Sequence, residues 1–146
     1  MIGILLLSYC TTSQSQASTG ATVAVYSKRT SGNCGDSAGE GKITSAAACE
    51  AGAVALGLQD TSAIIGTTIH FPPGCYFFSF KQSMSLKFNT ATAGDVCRDI
   101  YKCLCTLTCP PGTYQDQTGQ STCKSCPSDT YSIAGASSCP FDATSC

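Results

Sequence analysis

The sequence predicts a small disulfide-rich α+β module, with one helix on an antiparallel sheet, followed by a tandem of cysteine-rich repeats. Three observations predict this fold class. The 146 residues hold 12 cysteines, a density typical of small domains that depend on disulfide bonds. One alanine-rich stretch lies among short β-prone runs, and a pattern that begins at Cys109 returns at Cys126. We therefore expect three segments, at residues 1–17, 18–108 and 109–146.

Composition also limits the partners of the chain. Eight basic residues against nine acidic ones give a net charge of −1, and only 12 % of the residues are charged. Lys28 and Arg29 form the only adjacent basic pair, far short of the clustered footprint that nucleic acid or anionic lipid requires. Serine and threonine are abundant instead, which suits O-glycosylation or close self-packing. We expect a secreted protein, extracellular or at the cell surface, with no nucleic-acid partner and no membrane span.

The N-terminal segment, residues 1–17, has two interpretations that the sequence leaves open. Its apolar run is far shorter than the ~20 residues that span a bilayer. As a signal peptide, the run would precede cleavage after Ser15-Gln16-Ala17, and its removal would take Cys10 and leave an odd number of cysteines. As a retained segment, it would be a β-prone assembly strand that needs cover, such as an open sheet edge of a neighbouring subunit. The residues of this candidate assembly segment are Ile2, Ile4, Leu5, Leu6 and Leu7.

The module that follows is predicted to begin with a strand at residues 22–26 and to hold one helix. We expect the helix over residues 46–56, because Ser45 offers a hydroxyl N-cap and Gly57 stands at the C′ position. A cysteine on the buried face of this helix would link it to a sheet. The residues expected on that face are Cys49, Ala53 and Leu56.

The rest of the module is predicted to be β-rich. Short runs separated by turn residues indicate strands at residues 63–65, 67–71, 76–80 and 85–89. A small antiparallel sheet is the simplest assembly of these runs. The third run holds most of the aromatic mass, and we expect that mass in the core and not on an exposed binding face.

The order of features over residues 23–105 is similar to that of an extracellular module. The features are residues 43–45 with Cys49, a small-residue helix ending at residues 56–58, residues 73–76, residues 87–89, and Cys97 with residues 103–105. They resemble an uncharacterised module of algal and protist surface proteins, which implies a secreted modular protein and names no activity. The resemblance also suggests that six cysteines close on themselves, in one of fifteen pairings. The pairing we favour is Cys34 with Cys105, Cys49 with Cys75, and Cys97 with Cys103.

The last part of the chain repeats. Residues 109–114, CPPGTY, return as residues 126–131, CPSDTY, and Gly119 and Gly135 each stand four residues before a cysteine. The pattern resembles the ephrin-receptor-like (GCC2/GCC3) cysteine-rich repeat. In that family each unit is a β-ribbon loop, with a tyrosine packed over its disulfide, and units stack as spacers or protein-binding stalks. The resemblance implies disulfides between Cys109 and Cys123 and between Cys126 and Cys139.

This sequence departs from the repeat pattern in two places. Asp129 replaces a glycine, which is tolerable because aspartate accepts turn conformations better than most residues. A third unit is truncated, since Asp142 stands where its next cysteine is expected. Cys10 and Cys146 are then left over, and we expect them to join each other or to link successive subunits.

No catalytic, metal or cofactor site is predicted, and we expect no enzyme. His70 is the only histidine, so a catalytic triad would have one possible base, and its place in a predicted strand favours a structural role. The closely spaced cysteines are expected to form disulfides and not metal or redox sites. Neither Asn33 nor Asn89 starts an N-glycosylation motif.

Two functions remain open. In the first, the chain is a structural subunit of an extracellular filament or surface coat and binds copies of itself. In the second, it is a modular ectodomain, or a fragment of one, that binds a protein or carbohydrate. The sequence favours the first, because a ligand-binding module has no need of an uncharged apolar N-terminus.

Overall fold

The computed structural model describes residues 25–117, 120 and 122–142. The apolar run of residues 2–7, the predicted cleavage site, Cys10, Gly119 and Cys146 lie outside the described residues. The helix and strands, in chain order, are β1 (Val25–Arg29), β2 (Glu40–Lys42), α1 (Ala46–Ala55), β3 (Ile64–Gly66), β4 (Gly74–Phe80), β5 (Ser83–Asn89), β6 (Tyr101–Leu107), β7 (Thr113–Tyr114), β8 (Lys124–Ser125), β9 (Thr130–Tyr131) and β10 (Phe141–Asp142).

The first six strands form one sheet. Its order is β1-β6-β4-β5-β3, and β2 also pairs with β6. β4 and β5 form a hairpin, in which Lys81 and Gln82 make a two-residue turn and Lys81 has a φ of 53°. β6 lies inside the sheet, paired with β1 along one edge and with β4 and β2 elsewhere. Neighbouring strands of this sheet therefore come from distant parts of the sequence.

The sheet is mixed, which corrects the expected antiparallel sheet. β3 pairs with β5 in parallel, with Ile64 opposite Lys87, whereas the other strand pairs of the sheet are antiparallel. The β4–β5 hairpin explains the difference, because it places β5 between β4 and β3. β3 thus lies beside a strand that runs in its own direction. The expected single helix does pack on this sheet, against β6, β4, β5 and β1.

The predicted strand at residues 67–71 is wrong, and the side chain of Asn89 supplies the reason. Asn89 is buried, and its Nδ2 donates to the backbone carbonyls of Thr68 (2.7 Å), Phe71 (3.2 Å) and Pro72 (3.2 Å). Its Oδ1 accepts from the Thr68 N–H at 3.0 Å. One side chain thereby satisfies backbone groups that a neighbouring strand would otherwise pair. His70 consequently lies in an exposed turn and not in a strand.

The helix begins where predicted and ends one residue earlier. The Ser45 hydroxyl accepts from the Ala48 N–H at 3.2 Å, as an N-cap does. At the other end Gly57 has a φ of 63°, and the N–H groups of Gly57 and Leu58 bond to the carbonyls of Val54 and Ala53. This pair of bonds is a Schellman motif, with Gly57 at C′. The helix buries Cys49 and Ala53 as expected, and Gly52, while Leu56 is partly buried.

Two strands of the sheet were absent from the prediction, and one ends later than expected. β2 and β6 were missed, although β6 is a seven-residue run without glycine or proline. Residues 22–24 of the expected first strand lie outside the described residues. Within them β1 continues past the expected end at Tyr26 to Arg29, because Lys28 and Arg29 also pair with β6. The sheet is consequently larger than the sequence indicated.

The core lies between the helix and one face of the sheet. Tyr26, Phe77 and Leu86 are buried there, and the disulfide between Cys49 and Cys75 links α1 to β4. The other buried members of this core are Ile43, Ala53, Phe88 and Leu104. The opposite face of the sheet carries no helix among the described residues, and it holds the features that bear on function.

Candidate interaction surface

Five disulfide bonds lie within the described residues. They join Cys34 to Cys105, Cys49 to Cys75, Cys97 to Cys103, Cys109 to Cys123 and Cys126 to Cys139. These are the pairs that we expected from the sequence. The first two bonds close long stretches of the chain, with sequence separations of 71 and 26 between their cysteines. The other three bonds have sequence separations of 6, 14 and 13. Disulfides that close longer stretches stabilise the fold more, because they remove more entropy from the unfolded chain.

The two C-terminal ribbons share one local geometry at equivalent positions. Gly112 has a φ of 78° and Asp129 has a φ of 66°, so the aspartate adopts a turn conformation close to that of Gly112. In each ribbon a threonine follows, and its N–H and hydroxyl both donate to a proline carbonyl three residues earlier. The pairs are Thr113 with Pro110 and Thr130 with Pro127. The strands β7 and β8, and then β9 and β10, pair directly after these turns.

The ribbons are bonded to each other. The Gly112 N–H donates to the Ser132 carbonyl at 2.9 Å, and the Ser132 hydroxyl donates to the Thr113 carbonyl at 2.7 Å. The Cys126 N–H completes the contact by donating to the Gly112 carbonyl at 3.0 Å. Ser132 is fully buried by this contact. The two ribbons therefore pack as one hydrogen-bonded unit with little apolar core.

A short joint connects the ribbons to the sheet. The Thr108 N–H donates to the Gly39 carbonyl, and the Gly135 N–H donates to the Cys109 carbonyl, both at 2.7 Å. Val25, Leu107 and Cys109 form a small buried cluster at this joint. Gly39 has a φ of 81°, and a Cβ there would lie 2.3 Å from the Thr108 carbonyl oxygen. The joint is consequently made of close backbone contacts as well as apolar packing.

A buried ion pair lies near the same end of the sheet. The Glu40 side chain is completely buried, and its carboxylate accepts from Arg29 Nη1 and, at 2.8 Å, from the Ser27 hydroxyl. Arg29 Nη1 also donates to the Ser37 hydroxyl at 2.9 Å. These partners satisfy the buried carboxylate, as a buried charge requires. The arrangement joins β1 to β2 and has the character of a structural network, not of a reactive site.

Four aromatic rings cluster on the sheet face away from the helix. The Phe71 ring lies 5.8 Å from that of Tyr76 and 5.0 Å from that of Tyr101. Phe78 stacks on Tyr101 at 5.6 Å. Burial raises the pKa of the Tyr76 hydroxyl above its ordinary value, and Tyr101 adds a smaller effect in the same direction. This face is therefore substantially apolar, although no helix in the described part of the chain covers it.

The expectation that the aromatic run is core holds for only part of it. Tyr76 and Phe77 are buried, Phe78 is partly buried, and Phe80 at the hairpin end is 51 % exposed. Alternation along β4 explains the result, because Phe77 faces the helix while Tyr76 and Phe78 face the other side. The aromatic run thus divides between a core and a second, partly open face.

The edge of the sheet at β3 is apolar and uncovered among the described residues. Ile64 and Ile65 are 56 % and 63 % exposed. A groove with a volume of about 190 Å³ lies against this strand. Its apolar lining comes from Ile64, Ile65, Phe71, Tyr76 and Phe88, and Lys87 contributes its one charged side chain. We call this feature the β3 groove.

Among residues 25–117, 120 and 122–142, no three histidine, cysteine, aspartate or glutamate side chains cluster as metal ligands would. His70 is exposed, and its N–H donates to the Thr68 hydroxyl at 3.2 Å. In that same part of the chain, no helix is long and apolar enough to cross a membrane. The β3 groove and the aromatic face together form the candidate site. The sequence did not locate this site, because for the aromatic run it favoured the core over an exposed face.

Residues 100–144 match the model of a family described as tyrosine-protein kinase ephrin type A/B receptor-like. The match supports the expected ephrin-receptor-like cysteine-rich character of the C-terminal part. It begins within two residues of β6, so it takes in a strand of the sheet as well as both ribbons. The resemblance of residues 23–105 to a surface-protein module gains no support from it. No curated protein and no solved structure matched the chain. The disulfide bonds and the family match fit an extracellular location.

Proposed function

We propose that this chain is a non-enzymatic structural subunit of an extracellular filament or surface coat. Assembly would proceed through the apolar N-terminal segment and the disulfide-rich modules. The observation that carries the proposal is the apolar strand β3, whose outer edge is uncovered among the described residues, with Ile64 and Ile65 more than half exposed at the edge of a disulfide-linked sheet. Proteins usually protect such edges with charge, proline or covering chain, because an open edge templates pairing with another chain.

Composition adds support for an assembly role. The chain has a net charge of −1 with few charged residues, so copies of it repel one another little. Five disulfides within the described residues keep each subunit folded outside the cell. We further propose that the two ribbons are tandem ephrin-receptor-like repeats that space subunits, and that residues 23–105 belong to the algal and protist surface module that they resemble.

Electron microscopy of native material, together with N-terminal sequencing of the mature protein, tests the proposal. We expect polymers whose subunits retain residues 2–7. Discrete monomers that begin near residue 18 would contradict the structural role. Sedimentation of the purified chain at several concentrations provides the matching measurement in solution.

The second candidate is a modular ectodomain that binds a protein or carbohydrate ligand. The match of residues 100–144 to the ephrin-receptor-like family favours it, because that family is described as receptor-like. The β3 groove, at about 190 Å³, is smaller than the ~300–1,000 Å³ of usual small-molecule sites. A screen of the monomeric chain against immobilised glycans and cell-surface proteins separates this candidate from the first.

A further inference from the structure

We propose that the β3 groove receives the apolar segment of residues 2–7 from a second copy of this chain, so that subunits join head to tail. This inference rests on the proposed structural function and deepens it by naming the acceptor. The segment would add one strand outside β3, and its side chains would enter the groove.

The backbone N–H and C=O groups of β3 point alternately toward β5 and away from it. The Gly66 carbonyl accepts from the Thr90 N–H at 2.9 Å, so Gly66 faces β5. Neighbouring residues of a strand point their backbone groups to opposite edges, and Ile65 therefore points its N–H and C=O outward. No backbone partner for these two groups occurs among the described residues. They supply the hydrogen bonds that an added strand needs.

The open edge of β3 is limited on its N-terminal side by Glu50. Ala63 also points outward, but its N–H donates to the Glu50 carboxylate at 3.0 Å. Glu50 thus closes the edge before β3 and leaves it open from Ile65 onward. The open part of β3 is short, so an added strand pairs with it through few backbone groups, and the groove supplies the rest of the contact.

The groove and its proposed occupant are both apolar. The groove exposes isoleucine and aromatic side chains, and its volume suits side chains of a strand better than a separate ligand. The segment of residues 2–7 is the most apolar run in the sequence, and no charged side chain precedes Lys28. Such an occupant places no unpaired charge against the apolar lining. Lys87 at the margin is half-buried, and a lysine so placed can pack its stem while its amine stays in water.

The strand order of the sheet favours binding of the segment to a second copy over binding to its own chain. β1 and β3 form opposite edges of the sheet. The 17 residues between Leu7 and Val25 reach at most ~60 Å, and the sheet is roughly 19 Å wide, so length permits either route. When two sheets lie edge to edge, however, β1 of one copy stands beside β3 of the next. The segment then crosses only the junction, and the contact repeats without closing.

Paired variants of the full-length chain test the acceptor. Ile65→Lys places a charge at the groove, and Val54→Lys is the matched control, because Val54 is equally exposed, at 65 %, on the helix. We expect Ile65→Lys to raise the dissociation constant between copies by about 10- to 100-fold. Val54→Lys should leave it unchanged. Circular dichroism and a disulfide map confirm that each variant is folded.

Mixing two defective variants tests the exchange between copies. Leu6→Asp disables the donor and Ile65→Lys disables the acceptor, so each alone should sediment as a monomer. Their mixture should form heterodimers and stop there, since one intact donor meets one intact acceptor. Failure of the mixture to dimerise would show that the segment binds its own groove, and it would overturn the inference.

The remaining outcomes separate this inference from the proposed function. If the wild-type chain assembles and Ile65→Lys assembles equally well, the acceptor is wrong and the structural role stands. An equal loss for Val54→Lys and Ile65→Lys also overturns the acceptor. If the mature wild-type chain lacks residues 2–7 or stays monomeric, the proposed function fails together with this inference.

Discussion

The sheet module and the C-terminal ribbons reach stability by different means. The sheet buries side chains such as Phe77, Leu86 and Leu104 beneath a helix. The ribbons bury little apolar surface, and they rely on two disulfides and on backbone hydrogen bonds such as that from Gly112 to Ser132. A disulfide bond therefore contributes to stability in a different way in each region. It reinforces a core in the first and substitutes for one in the second.

Truncation of the core tests the first half of this comparison with the largest expected effect. Leu86→Ala removes a fully buried side chain next to the helix, and we expect a loss of about 4 kcal/mol in the free energy of unfolding. Hydrogen exchange followed by mass spectrometry should show faster exchange in β4, β5 and β6. The ribbons should keep their protection, and equal loss in both regions would contradict the distinction.

Removal of a ribbon disulfide tests the second half. Replacing Cys109 and Cys123 together by serine should cost about 3 kcal/mol, because this bond closes a stretch with a sequence separation of 14 and little core compensates. Exchange should accelerate over β7 and β8 and spread to the second ribbon. The sheet should stay protected, and protection of the ribbons without the bond would show that hydrogen bonding alone suffices.

Neutralisation of the buried carboxylate has a smaller expected effect. Glu40→Gln leaves Arg29 without its anionic partner, and we expect a loss of about 2 kcal/mol, below the range for fully buried pairs because Arg29 is partly exposed. Asp95→Asn is the matched control, since Asp95 pairs with Arg98 at 3.8 Å on the surface. Urea denaturation should find the control within about 0.5 kcal/mol of wild type.

The turn that differs between the ribbons has the smallest expected effect. Asp129→Gly should stabilise the second ribbon by roughly 0.5–1 kcal/mol, because aspartate adopts a positive φ less readily than glycine. Gly112→Asp in the first ribbon should destabilise it by a similar amount. Hydrogen exchange at β9 and at β7 measures the two changes in stability. If both substitutions stabilise their ribbon, or both destabilise it, the two turns do not share one geometry.

Local signals explain which parts of the fold could be predicted. The helix ends follow from a serine hydroxyl and a glycine within a few residues of each boundary. The role of Asn89 depends on a loop about 20 residues earlier in the chain, and nothing near Asn89 in the sequence indicates it. The position of β6 depends on pairing with strands made much earlier. Long-range contacts of this kind leave no periodic trace in the sequence.

The candidate site was only partly predictable for a related reason. The sequence indicated an apolar segment in need of a sheet edge, but the strand predicted at residues 67–71 was wrong, and for the aromatic run the core was favoured over an exposed face. The actual edge is β3, because the β4–β5 hairpin takes the place beside β4. An edge is a property of strand order, and strand order is set by the whole set of pairings.

The central place of β6 also has a consequence for biosynthesis. β1 emerges from the ribosome long before β6, and the partners Cys34 and Cys105 are separated by 71 positions. At ~5–20 residues per second, Cys34 is available for roughly 4–14 s before its partner is made. Cys49 and Cys75 emerge within that interval and offer it wrong partners. Where Cys34 has bonded to either of them, the Cys34–Cys105 bond forms only by thiol exchange after β6 has been synthesised, as a disulfide isomerase provides.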